Sequence, residues 1–207
     1  MSARSIARIS SLLSFIALVT TACSIGKPVP QATTYIVAPS APERLSEAHG
    51  KDVVRMGNVR LAAAFAGSSL IYRTDDVTFV PDPYQAFIAD PPAMFGTQMA
   101  AWLDRAGPFK AVTQPDSALS AKYRLEATVT ELYGDFRPGR PATAVMTVQF
   151  ALVDVDAIGP GLLYERTITR RVPLEGASPS ALVRGYNRAV SEILSELSGE
   201  LAAKTLR

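Results

Sequence analysis

Tyr123-Arg124-Leu125-Glu126-Ala127-Thr128-Val129-Thr130 and, after a break, Ala144-Val145-Met146-Thr147-Val148-Gln149-Phe150-Ala151-Leu152 decide the fold. In the first run Tyr123, Leu125, Ala127 and Val129 alternate with Arg124, Glu126, Thr128 and Thr130. Successive side chains of a strand point to opposite sides of its sheet, so a period of two writes one apolar and one polar face. In the second run Ala144, Met146, Val148, Phe150 and Leu152 repeat the apolar face. Between the runs, residues 134–141 include Arg137-Pro138-Gly139-Arg140-Pro141, which is turn chemistry. Residues 162–172 continue the pattern after Gly159-Pro160-Gly161. The three segments predict a half-buried antiparallel meander.

Outward from the meander the period changes. Ser178 can cap a helix that has Pro179 in its first turn. Leu182, Tyr186, Ala189, Ile193, Leu197 and Leu201 then recur on one helical face, with Glu192, Glu196 and Glu200 mostly off it. Upstream, Phe95, Met99, Trp102, Leu103 and Ala106 fall at helical spacing, and Gly107-Pro108 supplies the stop. Shorter strands are expected at residues 35–37, at 53–61 with a break at Gly57, and at 70–73, 77–80 and 109–112. Pro81, Pro83, Pro91 and Pro92 read as punctuation, which leaves Tyr84 and Phe87 on a proline-bounded loop. Residues 39–51 read as loose. The predicted fold class is α+β: an antiparallel sheet with two main helices packed on one face, in a single domain.

Catalytic sets are sparse. The chain has one histidine, His49, in a polar loop segment, and one cysteine, Cys23, which leaves too few ligands for a zinc site of ordinary composition. Gly67-Ser68-Ser69 lacks the second glycine of a nucleophile elbow, because Ile71 stands two residues after Ser69. It reads as a turn into the strand that follows. Asp75-Asp76 and the Asp154/Asp156 pair read as solvated turn carboxylates. No phosphate-binding glycine loop or dinucleotide fingerprint occurs. No metal, cofactor or catalytic residue is expected.

The N-terminus explains Cys23. Arg4 and Arg8 precede a mostly apolar run at residues 9–19, too short to span a bilayer, which needs about 20 apolar residues. Thr20, Thr21 and Ala22 are small and lead to Cys23. This resembles the lipobox of bacterial lipoproteins, with Thr20 where Leu is favoured. The resemblance implies cleavage between Ala22 and Cys23 and three acyl chains on the mature N-terminus. A second lipid signal already makes anchoring stable, so three hold firmly. Ser24, in place of a retaining Asp, implies export to the outer membrane. The other readings of Cys23 are a free thiol or an intermolecular disulfide. Loss of residues 1–22 removes Arg4 and Arg8 and no acid, so the formal charge falls from +2 to 0. A neutral body gives no electrostatic case for nucleic acid. The organisation is a signal peptide at 1–22, a lipidated N-terminus and flexible tether at 23–34, and a folded domain at 35–207. Eleven linker residues span at most about 35–40 Å.

Phe65-Ala66-Gly67-Ser68-Ser69-Leu70-Ile71-Tyr72-Arg73, then Pro83-Tyr84-Gln85-Ala86-Phe87, then Pro91-Pro92-Ala93-Met94-Phe95 resemble the ABC-type transport auxiliary lipoproteins, the family of paraquat-inducible protein C. Tyr35-Ile36-Val37, the strand from Tyr123 to Tyr133 and the C-terminal helix agree in order. The resemblance implies a non-enzymatic adaptor for an ABC transporter with MCE-domain subunits, moving lipids or hydrophobic compounds between the membranes, and a possible ring-forming homo-oligomer. Leu70, Tyr72, Arg73, Tyr84 and Phe87 are the candidate partner or lipid contacts. Two other readings stand beside it: a lipoprotein that carries lipid in its own pocket, and an activator of a cell-wall enzyme.

The lipobox reading makes a direct prediction. Cys23→Ala leaves an unlipidated, mislocalised precursor whose body still folds, measured by fractionation and intact mass. A Cys23→Ala protein that still fractionates as an integral membrane component would sink it.

Overall fold

The computed structural model describes residues 31–43 and 50–204. The described strands and helices are, in chain order, β1 (Thr33–Tyr35), β2 (Val53–Met56), β3 (Arg60–Leu61), β4 (Ser69–Arg73), β5 (Phe79–Phe87), α1 (Pro91–Ala106), β6 (Ala111–Thr113), β7 (Tyr123–Asp135), β8 (Thr143–Asp154), β9 (Leu162–Pro173) and α2 (Pro179–Ala202), with a 3-10 turn at Ala63–Phe65. Ala32–Arg207 form one compact unit.

The meander is present as read. β8 pairs antiparallel with β7 from Tyr123 opposite Asp154 to Asp135 opposite Thr143, and β9 extends it on the other side. β7's second edge is filled by three short strands in succession, all parallel to it. β2 meets residues 123–125, β3 meets 128–129 and β4 meets 134–135. The expected break at Gly57 separates β2 from β3, yet Gly57 still donates to the Leu125 carbonyl at 2.8 Å. A β-carbon on Gly57 would lie 3.3 Å from that oxygen, so the close approach favours glycine. β5 turns back antiparallel on β4, while β1 runs parallel to β5 and β6 parallel to β2. The α+β class holds, with a sheet that is partly parallel where an antiparallel one was expected. The chain of residues 53–73 follows β7 in one direction without turning back, which dictates parallel pairing.

Two further expectations change. β5 runs nine residues straight through Pro81 and Pro83, so Tyr84 and Phe87 lie on a strand and not on a loop. Proline removes a backbone donor, which an edge position does not need. β1 alone flanks the outer side of β5, and only at Gln85–Phe87. Of the segment expected to be loose, 39–51, the part at 39–42 is bonded to the helices, together with Ala38 before it. Ala38 N–H donates to the Asn187 side chain at 2.9 Å, the Ser40 carbonyl accepts from Trp102 Nε1 (2.9 Å) and Ser191 Oγ (3.1 Å), and the Pro42 carbonyl accepts from Arg105 (3.2 Å). The segment therefore straps both helices.

Both helices bury the predicted faces against the sheet. Ser178 accepts from the Ala181 N–H and caps α2. α1 begins at Pro91 itself, where Pro91 and Pro92 occupy the first turn, and ends on Gly107, whose left-handed φ of 66° lets its N–H reach the Leu103 carbonyl. Phe95, Met99, Trp102 and Leu103 from α1 and Leu182, Tyr186, Ala189, Ile193, Leu197 and Leu201 from α2 are buried with Leu125, Val129, Val148, Phe150 and Leu152. A large aliphatic or aromatic side chain so buried contributes about 1.5–3 kcal/mol. Off that face, Arg166 and Arg170 of β9 pair with Glu196, Glu200 and Glu192 of α2. Tyr164 donates to Glu200 at 2.6 Å.

Two glycines of α2 give a matched test. A β-carbon on Gly185 would meet Leu174 Cδ2 at 2.6 Å and Ala144 Cβ at 2.7 Å; one on Gly199 would meet nothing within 4 Å. Alanine gains about 1 kcal/mol of helix propensity over glycine, and overpacking costs about 1–3 kcal/mol. Gly185→Ala therefore destabilises or at best breaks even, and Gly199→Ala stabilises by about 0.5–1 kcal/mol. Urea unfolding of the two variants checks the sign of each.

Candidate functional site

The hairpin of β4 and β5 stands at the C-terminal end of β7, because Tyr72 lies opposite Gly134 and Arg73 opposite Asp135. A register shift between Val129 and Glu131 places a bulge in β7 at Thr130 and reverses which residues face the helices. Beyond it Gly134 faces Leu182 of α2. Tyr133 turns to the opposite side, where Phe65 stacks on it at 5.9 Å and Phe79 meets it edge-on at 5.1 Å. Arg73 lies over the Phe79 ring at 5.4 Å, a cation–π contact.

Two arginines clasp the hairpin turn. Arg73 donates to the backbone carbonyls of Asp75 and Asp76 at 3.2 and 2.7 Å. Arg137 donates from Nε and Nη2 to the two oxygens of Asp135 at 2.9 and 2.6 Å, and from Nη1 to Asp76 at 2.6 Å. Such bidentate, charge-assisted bonds fix orientation. The hydrogen bonds from Arg137 hold the carboxyls of Asp135 and Asp76 below their ordinary 3.8. The β4–β5 turn is thereby tied to the β7–β8 turn.

On the helix side a groove of about 340 Å³ opens between the hairpin and the start of α2, lined by Tyr72, Thr74, Asp82, Phe136, Ser178 and Pro179, with Ala177. Tyr72 and Phe136 meet edge-on at 5.4 Å. Tyr72 donates to Asp82 at 2.7 Å, and burial followed by that bond pushes its phenol up. The other Asp82 oxygen accepts from the N–H groups of Tyr84 and Gln85 at 2.8 and 3.0 Å. The rings and the proline give an apolar wall, while Thr74, Ser178 and Asp82 give a polar rim. No Lys or Arg lines the groove. Its chemistry suits an apolar or neutral polar group and not a phosphate. Among the described residues no three His, Cys, Asp or Glu side chains cluster to hold a metal ion, and no helix is long and apolar enough to cross a membrane.

The predicted contact residues divide. Tyr72, Arg73 and Tyr84 come together on the hairpin, with Tyr84 41% exposed. Leu70 and Phe87 are 1% and 4% exposed, and Phe87 packs on Phe95 and Tyr186 at ring distances of 6.3 Å. Burial assigns these two to the core, so they are not available as surface contacts on this body. Ala22, Cys23 and His49 lie outside the described residues. Asp154 accepts from the Asp156 N–H at 3.0 Å and pairs with Lys122 at 3.5 Å, which is turn chemistry. Sequence reasoning missed Asp82, Phe136, Arg137 and Pro179. Only Arg137 carried a signal, being two residues from Asp135 in the basic turn.

The fold agrees with the comparisons. The chain belongs to the ABC-type transport auxiliary lipoprotein component family, whose profile matches residues 35–198. The family ties it to an ABC-type transport system and to the cell envelope. Among solved structures it is similar to protein XCC0632 of Xanthomonas campestris, at 14% identity, TM-score 0.71, covering 82% of this chain and 94% of that one. An uncharacterised protein aligns at 16% identity and TM-score 0.66, covering 83% of this chain and 99% of its own. At these identities the likeness is one of fold. No curated protein matches the chain.

The Arg137 clasp predicts a pH dependence. Both carboxyls have folded values below their unfolded ones, so the stability they confer is complete above about pH 4 and is lost as pH falls through the lowered values. Asp135→Asn should lower stability at neutral pH and make the decline below about pH 4 shallower, as read by urea midpoints across pH. An unchanged acid slope would show that the pair contributes nothing.

Proposed function

We propose that this chain is a lipid-anchored adaptor of an MCE-type ABC transport system that moves lipids or hydrophobic compounds across the envelope, seated on the periplasmic face of the outer membrane. The observation that carries the reading is the family match, which spans nearly the whole folded body. The lipobox around Cys23 supplies the anchor, and Ser24 favours the outer membrane. The role in this reading is that of an auxiliary component and not of an enzyme, with Tyr72, Arg73 and Tyr84 as its candidate contact residues. MCE-domain and permease subunits are the partners, and association of several copies belongs to the same reading.

One feature favours the lipid-carrier alternative. The groove beside Tyr72 and Phe136 has about 340 Å³, at the lower end of the range of about 300–1,000 Å³ for ligand sites.

Mild crosslinking of the native envelope, pull-down on this protein and mass spectrometry of proteins and lipids test both. MCE-domain and permease subunits in the eluate support the adaptor. Stoichiometric lipid that disappears with Phe136→Asp selects the carrier. A cell-wall synthase without any transporter subunit would overturn the transport reading.

A further inference from the structure

The exposed large apolar side chains of the described residues fall mainly into two groups. Val77, Phe79, Val80 and Tyr84 are on the β4–β5 hairpin, and Leu119, Val155, Ile158 and Leu162 are at the N-terminal end of β7. The two groups are separated by the length of β7, about 40 Å at the usual rise of a strand. Val77, at the hairpin turn, is 86% exposed.

Three observations select an occupant for the hairpin. First, β1 runs parallel to β5, with Thr33 beside Gln85 and Tyr35 beside Phe87. The chain therefore enters β1 from the Tyr84 side, the side of the hairpin turn. Nine residues separate Cys23 from Thr33, and the ten steps between them reach at most about 35 Å. Second, the outer edge of β5 carries no strand at residues 79–84 among the described residues, and Pro81 and Pro83 supply no N–H there. A protein strand adding to this edge would lack donors. A bilayer interface needs side chains and no backbone donors. Third, the exposed set is interfacial in kind: aliphatic Val77 and Val80, amphipathic Tyr84, and Phe79 under the Arg73 guanidinium. The arginine clasps hold this surface in a fixed shape.

We propose that the end of the β4–β5 hairpin, with Val77 at its turn, Phe79 and Val80 on its two opposite sides and Tyr84 on its outer strand, rests end-on on the bilayer that holds the lipidated N-terminus, so that the body is oriented on the membrane as well as tethered to it. The proposal rests on the reading of Cys23 as the lipid anchor. The opposite end, with Ile158, then points away from the lipid.

The sequence makes the test clean. Cys23 is the sole cysteine and acylation consumes it, so an introduced cysteine is the only free thiol. Full-length lipidated protein carrying Val77→Cys, Val80→Cys or Ile158→Cys is labelled with an environment-sensitive fluorophore. It is then reconstituted in vesicles of phosphatidylethanolamine and phosphatidylglycerol containing a nitroxide lipid. Flotation and intact mass report the anchor separately. The expected result is a blue-shifted emission quenched by the nitroxide at residues 77 and 80, and a water-like, unquenched emission at 158. Protein that floats but leaves residues 77 and 80 water-like overturns the orientation and leaves the anchor standing. Quenching at 158 equal to or above that at 77 does the same. Probes at 77 and 80 that are shielded without nitroxide quenching report a protein occupant, a second copy included, and also overturn it. Protein that carries no lipid and does not float overturns the anchor and the orientation together.

Discussion

Strand β7 has two edges, and the architecture follows from filling both. An unpaired peptide group buried away from water costs about as much as a lost hydrogen bond, so a long central strand demands partners along its length. β8 supplies one edge almost completely. The other is filled piecewise by a single passage of chain, residues 53–73, that moves along β7 in three strokes. Between the strokes the ladder is kept by single bonds: Gly57 N–H to the Leu125 carbonyl and Ala62 N–H to the Val129 carbonyl, at 2.8 and 2.9 Å. Because that passage ends level with Asp135, the next reversal of the chain falls at the C-terminal end of the strand. The position of the hairpin, its clasping by Arg73 and Arg137, and the groove against α2 are consequences of how β7 is satisfied.

What could be read from residues alone follows the strength of the periodic signal. The meander and the inner face of α2 were legible because each repeats its apolar residue many times at one spacing, so no single exception blurs it. The break at Gly57 was visible because glycine interrupts a strand pattern in a recognisable way. β5 was legible only at its start, in the strand expected at 77–80, since Pro81 and Pro83 read as breakers unless the strand is known to lie on an edge, and an edge is a tertiary property. Nor could alternation place Tyr133, because the bulge at Thr130 exchanges the two faces midway along β7. Parallel pairing of β2, β3 and β4 with β7 links distant segments whose order no local pattern records. Of the candidate contacts, Tyr72, Arg73 and Tyr84 reach the surface at least in part, and Leu70 and Phe87 are buried. Four of the five are apolar or aromatic and the fifth is Arg73; no local pattern separates Leu70 and Phe87 from the rest, and their place in the fold decided it.

Sheet and helices together form a scaffold with a firm interior and a distinctive end. The polar face of the sheet carries hydrogen-bonded Thr147, Thr169 and Glu131, and β9 is fastened to α2 by ion pairs. Surface ion pairs of this kind contribute little individually, about 0–1 kcal/mol, so they align the edge more than they hold it. The aromatic cluster of Phe65, Phe79 and Tyr133 and the groove beside Tyr72 lie on opposite sides of the sheet at one end. This end therefore presents two surfaces of different character on one hairpin.

The strap at residues 37–42 has a mechanical meaning. A domain held by its N-terminus feels any pull first at β1, which is only three residues long. Tension directed back along a strand that runs parallel to its neighbour loads their hydrogen bonds together in shear, and does not peel them open one at a time. Past β1 the chain runs straight into Ala38, Ser40 and Pro42, each bonded to α1 or α2. A load entering at Thr33 is thus divided between the sheet and the helical layer within ten residues. With the proposed anchor at Cys23, the point where the chain is held is also where its two layers are riveted together.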